Sequence, residues 1–392
     1  MNMTTLISFL GKGDPRKGYR TATYRFNADV AYTETFFGLA LTNFLKPDRL
    51  ILLGTPSSMW EIFFDREGVE GDAMLPLIDA VAAGNVSEHL LHLPRLQLAK
   101  RLGIRVDCQL IRYALDETEQ VDILRRLAAV LQPGEHLWID VTHGFRHLPM
   151  LALVAARYLA RVVRVEVEEI YYGALEMTPP APGSETPVLK LRGLLSMLDW
   201  VDALATYDKD GDYGVFAPLL VKDGMAERRA EWLATAAYSE RTSNTKLAGE
   251  KLRQVFDSIE THDGPLGGLF RETLKERIGW FRGPTPHDRE LSLADAYFKR
   301  SDYLRAATFL YESFVTRACY NEKCNDTDAQ ERDDVYDRAR KQTPAVGKLK
   351  NLRNALAHGV RSHGERADES ARTIANEISL RKVLKDLRKK LF

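Results

Sequence analysis

The rhythm of apolar and polar positions changes near residue 190. Before it, short apolar or β-branched runs at 6–10, 49–53, 104–111, 137–141 and 162–172 end in glycine, threonine or charged residues. Segments with a helical period lie between several of them, at 33–44, 119–131 and 147–159. Strand and helix signals that alternate in this way predict an α/β domain with a mostly parallel sheet. The stretch 21–26, with Asn27 after it, adds a hairpin before the first long helix. Residues 178–187 carry four prolines, which break any regular element and predict an exposed loop.

From Leu189 onward the period is helical and alternating strand patterns almost vanish, as in Leu191, Leu194, Leu195, Leu198 and Val201. Further helices are predicted over 294–320 and 346–359, with Gly359 as the stop of the second. A last helix has an apolar stripe of Leu380, Val383, Leu384, Leu387 and Leu391. Its other face, with Arg381, Lys382, Lys385, Arg388, Lys389 and Lys390, reads as solvated. The expected organisation is an α/β domain over 1–188 followed by an all-α region over 189–392.

With 392 residues, the chain exceeds what one hydrophobic core serves. Its 45% hydrophobic and 28% charged content is that of a globular protein, and no apolar run reaches the ~18 to 20 residues of a membrane span. Residues 1–10 lack a basic segment followed by a cleavable apolar one, so a cytoplasmic location is expected. Cys108, Cys319 and Cys324 form no disulfide framework and no zinc-ligand spacing. Lys plus Arg equals Asp plus Glu at 55 each, giving zero net charge. No global field attracts nucleic acid, so any RNA contact must be local.

Ligands of parallel α/β sheets bind at the carboxyl ends of the strands. The first strand runs into Gly11-Lys12-Gly13, where two glycines permit close backbone approach and Lys12 offers a charge for a phosphate; a plain tight turn fits equally. The second runs into Gly54-Thr55-Pro56-Ser57-Ser58-Met59-Trp60, with hydroxyls at a helix start and an aromatic face for a base. The alternative there is capping by Ser57 or Ser58 with Trp60 in the core. The fourth ends in Asp140-Val141-Thr142-His143-Gly144-Phe145-Arg146-His147, the densest polar cluster of this half. His143, His147 and Asp140 have the spacing of metal ligands, but Gly144 disfavours a regular helix and no glutamate base stands between the histidines, so no metal is expected. A polar clamp fits better, with Thr142 and backbone N–H groups as donors and Arg146 as a charged fork. The lysine spacing of a P-loop is missing, so ATP hydrolysis is not suggested.

In the helical half, Arg353-Asn354-Ala355-Leu356-Ala357-His358 groups a fixed cation, a carboxamide and a titratable imidazole, side chains able to split RNA without a metal. Five helical steps put Arg353 and His358 roughly 140° apart around the axis. One regular helix therefore does not aim both at one phosphate, unless its end distorts or a second copy faces the first. Arg282 and His287 repeat the spacing, but Gly283, Pro284 and Pro286 between them predict a surface loop.

Taken in order, Phe9-Leu10-Gly11, Gly54 to Glu61, Asp140 to Pro149 and Tyr171-Tyr172-Gly173-Ala174, followed by Arg353 to His358, make the chain resemble the CARF/HEPN proteins, ancillary ribonucleases of type III CRISPR systems. The resemblance implies a Rossmann-like CARF domain that dimerises and binds one cyclic oligoadenylate, with Gly11, Lys12, Gly13, Gly54, Thr55, Ser57, Ser58, Thr142, His143, Gly144, Phe145 and Arg146 as effector-binding residues. Cyclic tetra-adenylate is the expected activator, cyclic hexa-adenylate the alternative. The resemblance also implies a HEPN homodimer, or a higher oligomer, that cleaves single-stranded RNA with Arg353, Asn354 and His358 of both chains and no cofactor. Glu312 matches by position a polar residue that HEPN folds often carry beside the motif; a buried salt bridge or plain surface charge fits it as well. Two rival readings stay open. One is a CARF sensor with an inactive HEPN scaffold; the other is a ring nuclease that degrades its own cyclic oligoadenylate, for which Lys12 and Arg146 would serve.

Overall fold

The computed structural model describes residues 3–12, 20–71, 74–359 and 365–392, and for 365–368 the backbone alone. The chain divides into two compact units, Met1–Ser196 and Met197–Phe392.

Unit 1 is built on one sheet of eight strands: β1 (Thr4–Leu10), β2 (Ala22–Arg25), β3 (Ala31–Glu34), β4 (Arg49–Gly54), β5 (Arg105–Leu110), β6 (His136–Asp140), β7 (Glu166–Gly173) and β8 (Thr186–Lys190). Their order is β3-β2-β8-β7-β6-β1-β4-β5. The five strands from β7 to β5 run parallel. Alternate residues of these strands feed two cores on opposite faces. Leu6, Leu10, Leu50, Leu52 and Val106 pack with α1 (Phe37–Leu45), α2 (Trp60–Arg66), α3 (Met74–Ala83) and α4 (Glu88–Leu102). Ile7, Phe9, Ile51, Leu53, Leu137, Ile139 and Ile170 pack with α5 (Glu117–Val130) and α6 (His147–Tyr158). Burial on both faces is why the runs read as almost continuously apolar. The chain goes from β1 to β4 and β5 on one side, then returns to β6 and β7 on the other. The order therefore reverses at β1, which is where a doubly wound sheet opens a ligand crevice.

Several boundaries depart from the sequence reading. The predicted helix 33–44 loses its first residues to β3, where Thr33 pairs with Thr23 of β2 and the two hydroxyls lie 2.8 Å apart. The hairpin is closed by Asn27, whose Oδ1 accepts from the Asp29 and Val30 N–H groups. The run 162–172 is split: Val162 and Val163 finish a π-helical turn after α6, Arg164 turns left-handed at φ 65°, and the strand starts at Glu166. The loop 178–187 is cut short by β8, which holds Leu189 and pairs with both β7 and β2. Helices α3 and α4 were not anticipated.

Helix α7 (Arg192–Asp210) runs across the division between the units. Unit 2 continues with α8 (Ala217–Lys222), α9 (Glu227–Arg241), α10 (Thr245–Glu260), α11 (Gly267–Ile278), α12 (Pro286–Lys299), α13 (Tyr303–Glu322), α14 (Ala329–Gln342), α15 (Pro344–His358), α16 (Glu365–Ile374) and α17 (Glu377–Leu391). The single helix predicted over 294–320 is two, because Ser301 adopts φ 64° and Asp302 caps α13 by accepting from the Arg305 N–H. The segment predicted as a loop around Arg282 and His287 is shorter than expected. Arg282 ends a 3₁₀ turn, and His287 lies in the first turn of α12, where Thr285 and Asp288 form a capping box around Pro286. Leu380, Leu384, Leu387 and Leu391 of α17 are buried as the stripe requires. Among the described residues, no helix is long and apolar enough to cross a membrane.

Candidate functional site

The ends of β1 and β4 are joined by one hydroxyl. Ser58 Oγ donates to the Leu10 carbonyl at 2.7 Å and accepts from the Thr55 N–H at 2.9 Å. The Met59 N–H adds a bond to the Gly11 carbonyl at 3.0 Å. Thr55 and Ser58 are each 1% exposed, so their side chains shape this loop from inside. Gly54 is required there because a Cβ would stand 2.5 Å from the Trp60 ring. Trp60 is a core residue, its Nε1–H donated to the Thr55 carbonyl at 3.0 Å. Neither serine caps α2.

The β6 end is organised by a buried carboxylate. Asp140 accepts from Ser8 Oγ at 2.6 Å and from the Thr142 N–H at 2.8 Å. Burial lifts its pKa to about 6, the hydrogen bonds from Ser8 and Thr142 opposing the shift. Thr142 Oγ1 in turn accepts the Gly173 N–H at 2.8 Å, tying β7 to the loop. His143 is buried, its Nε2 accepting the Phe37 N–H at 3.2 Å, and burial lowers its pKa to about 4. It is thus a neutral imidazole that fixes the start of α1. Gly144, at φ 109°, makes the turn that a residue with a side chain would resist.

The groups left open at these strand ends are fewer. Lys12 and Arg146 are exposed and Phe145 is half-buried; Gly13 lies outside the described residues. Arg146 stands immediately before α6, whose first turn has no side-chain cap; the Leu148 N–H there donates to the Phe145 carbonyl at 2.8 Å and Pro149 has no N–H, so Arg146 itself is the main anion-binding group at this end. Its charge reaches Tyr172 and Glu176. Burial and a hydrogen bond to Glu176 push Tyr172 up to about 12, and Arg146 opposes the shift. Tyr113, which the sequence reading did not single out, connects the loops: its hydroxyl donates to Ser57 Oγ at 3.0 Å, its carbonyl meets His147 Nε2 at 2.8 Å, and its ring centre lies 6.0 Å from that of Phe145. It lies three residues beyond the end of β5, and attention to all the strand ends alike would have found it.

His143 and His147 therefore turn to different backbone partners and do not converge with Asp140 on one point. Elsewhere, His136, Glu166 and Glu168 bring three potential ligand atoms within 4.8 Å at the opposite ends of β6 and β7, where His136 Nδ1 lies 2.6 Å from Glu168 Oε1.

In unit 2, α15 carries the second candidate cluster at its C-terminal end, with Gly359 beyond it at φ 70°. Arg353 is half-buried. Its guanidinium lies over the Tyr311 ring at 4.9 Å, and among the described residues its buried Nε has no hydrogen-bond partner. Asn354 and His358 are exposed. Arg353 and His358 thus point away from each other, as the helical spacing requires. Glu312 is committed to an ion pair, accepting from Arg332 Nη2 at 2.6 Å.

Residues 5–176 match the family model described as CRISPR system endoribonuclease Csx1, CARF domain. The CRISPR-associated protein MJ1674 of Methanocaldococcus jannaschii is 25% identical over 244 residues, a match that covers 56% of this chain and 38% of the relative. The chain therefore matches well under half of that relative's length. A mostly parallel sheet whose order reverses at β1 defines the class, a Rossmann-like α/β domain. Residues 5–176, most of unit 1, therefore match a CARF domain, and the chain is similar to a CRISPR-associated protein.

Proposed function

We propose that this protein is a homodimeric, metal-independent endoribonuclease of CRISPR antiviral defence, acting in the cytoplasm and switched on by a cyclic oligoadenylate. Cyclic tetra-adenylate is the preferred ring and cyclic hexa-adenylate the alternative. The observation that carries the reading is the CARF domain followed by an all-helical unit with Arg353, Asn354 and His358 at one end of α15. CARF domains bind cyclic oligoadenylates, and the strand ends supply suitable chemistry: Arg146 and Lys12 for phosphates, and the Tyr113 and Phe145 rings for bases.

The chemistry is attack of an RNA 2′-hydroxyl on the adjacent phosphorus. The bond to the 5′-oxygen breaks, leaving a 2′,3′-cyclic phosphate and a 5′-hydroxyl. Arg353, with donors to spare, stabilises charge on the phosphoryl oxygens; His358 moves the protons of attack and departure; Asn354 orients the phosphate. Because Arg353 and His358 diverge on α15, a composite site from two chains is the arrangement that brings one of each to the same phosphate. His358→Ala should abolish RNA cleavage and leave binding of cyclic tetra-adenylate intact. Activity within tenfold of the unmodified chain would overturn the assignment.

A further inference from the structure

Asn351 and His358 are seven residues apart on α15, and seven helical steps return to the same face within roughly 20°. Lys348 and Gly347 continue that face toward the start of the helix. Gly347, Lys348 and Asn351, together with Arg340 and Lys341 of α14 and Glu369 of α16, line a groove of about 570 Å³, and His358 lies outside its lining, further along α15. Lys348 Nζ reaches Glu369 Oε1 at 2.6 Å, so that pair is neutral. The net charge comes from Arg340, whose exposed pair with Asp337 holds it weakly, and from Lys341, which has no ion pair among the described residues.

Gly347 is a second observation. Among the described residues nothing lies within 4 Å of where its Cβ would stand, so a larger side chain at this position would reach into the groove and probe what the groove holds. The aromatic residue in its lining, Tyr336, is buried and has Lys350 Nζ 3.9 Å from its ring centre. The groove therefore offers cations and an amide but no stacking platform, which suits a nucleic-acid backbone better than bases.

We propose that this groove is a subsite for the sugar-phosphate backbone of single-stranded RNA, holding one flank of the strand whose scissile phosphate reaches His358. The proposal rests on the ribonuclease reading above.

The test is the Arg340→Ala/Lys341→Ala double variant of the full chain, made with and without His358→Ala. In the His358→Ala background, labelled single-stranded RNA should bind about tenfold more weakly. The slope of log affinity against log salt should flatten by about 1.4, two phosphate contacts at ~0.7 each. In the active background the loss should fall on KM with kcat little changed. Gly347→Leu should likewise weaken RNA binding while helix content is kept, leucine being the better helix former. Unchanged affinity and slope in a protein that His358→Ala has inactivated would sink the groove and leave the ribonuclease reading standing. Cleavage that survives His358→Ala would instead sink that reading and the groove with it. A double variant that is monomeric by light scattering where the unmodified chain is dimeric would assign the groove to an interface between copies, and would also overturn the proposal.

Discussion

The guanidinium of Arg353 on α15 rests on the ring of Tyr311 on α13, 4.9 Å from its centre, and Tyr311 is itself packed 5.7 Å from Tyr336. A flat cation on a flat, buried ring is held in one plane. Tyr311 thus acts as a positioning residue for the proposed chemistry. Tyr311→Phe keeps the ring face and should keep near-normal single-turnover cleavage. Tyr311→Leu should lose about tenfold in kcat, the scale of a partly desolvated cation–π contact. Equal losses in the two variants would show that the hydroxyl or simple packing matters, and not the ring face.

A composite site makes a mixing experiment decisive. Arg353→Ala and His358→Ala homodimers should each be inactive. If each catalytic centre draws on both chains, their heterodimers should recover activity through the site that retains one intact Arg353 and one intact His358. Cleavage assayed after co-refolding of the two variants measures this. No recovery in a verified heterodimer would favour centres that each use a single chain.

Asp140, clasped by Ser8, predicts a pH dependence of stability. Its native pKa of about 6 lies above the unfolded value of about 4. The folded state therefore holds the extra proton between these limits. The contribution is fully present below about pH 4 and is lost as the pH rises through about 6. Asp140→Asn cannot ionise. Relative to the unmodified chain, its unfolding free energy should improve by about 2 to 3 kcal/mol between pH 4 and pH 7.5. Glu240 and Glu290, lifted by burial to about 7, shift the same way in both proteins and cancel from the difference. Urea unfolding at the two pH values measures it, and a difference that does not change with pH would place the Asp140 titration in its ordinary range.

At the sensor end, the open and the internal residues should behave differently. Arg146→Ala should weaken cyclic tetra-adenylate binding by about one to two decades, the loss of a charge-assisted hydrogen bond, without changing Tm. Ser57→Ala/Ser58→Ala should lower both affinity and Tm, because the Leu10 carbonyl and the Thr55 N–H lose their shared partner. Calorimetry with the ring and thermal melting without it separate the two effects. Unchanged affinity in Arg146→Ala would move the phosphate contact toward Lys12.

The parallel strands were legible because burial on both faces writes them as apolar runs, and the ends of β1, β4 and β6 were legible because glycines and hydroxyls cluster there. β8 was hidden by Pro187 and by its five-residue length. The break between α12 and α13 was hidden by an apolar period that continues across Ser301, although Asp302 is a helix-start residue type. What no local pattern records is pairing at long range. Ser58 binds a carbonyl 48 positions away and Ser8 binds Asp140 across 132. So residues that read as ligand donors, such as Ser58, Thr55 and His143, turn out to hold the loops in place. Tyr311, 42 positions before Arg353, escaped notice as a partner for the same reason.

In the proposed function, a ring nucleotide at the strand ends of unit 1 turns on metal-free RNA cleavage by residues of α15. The most direct measurement is cleavage of labelled single-stranded RNA by the full chain in EDTA, with each cyclic oligoadenylate of three to six units in turn. Cleavage is expected with cyclic tetra-adenylate, or failing that with the hexamer alone, giving 2′,3′-cyclic phosphate ends and nothing without a ring. No cleavage with any ring, cleavage only after a divalent metal is restored, or linearised ring with intact RNA would contradict it.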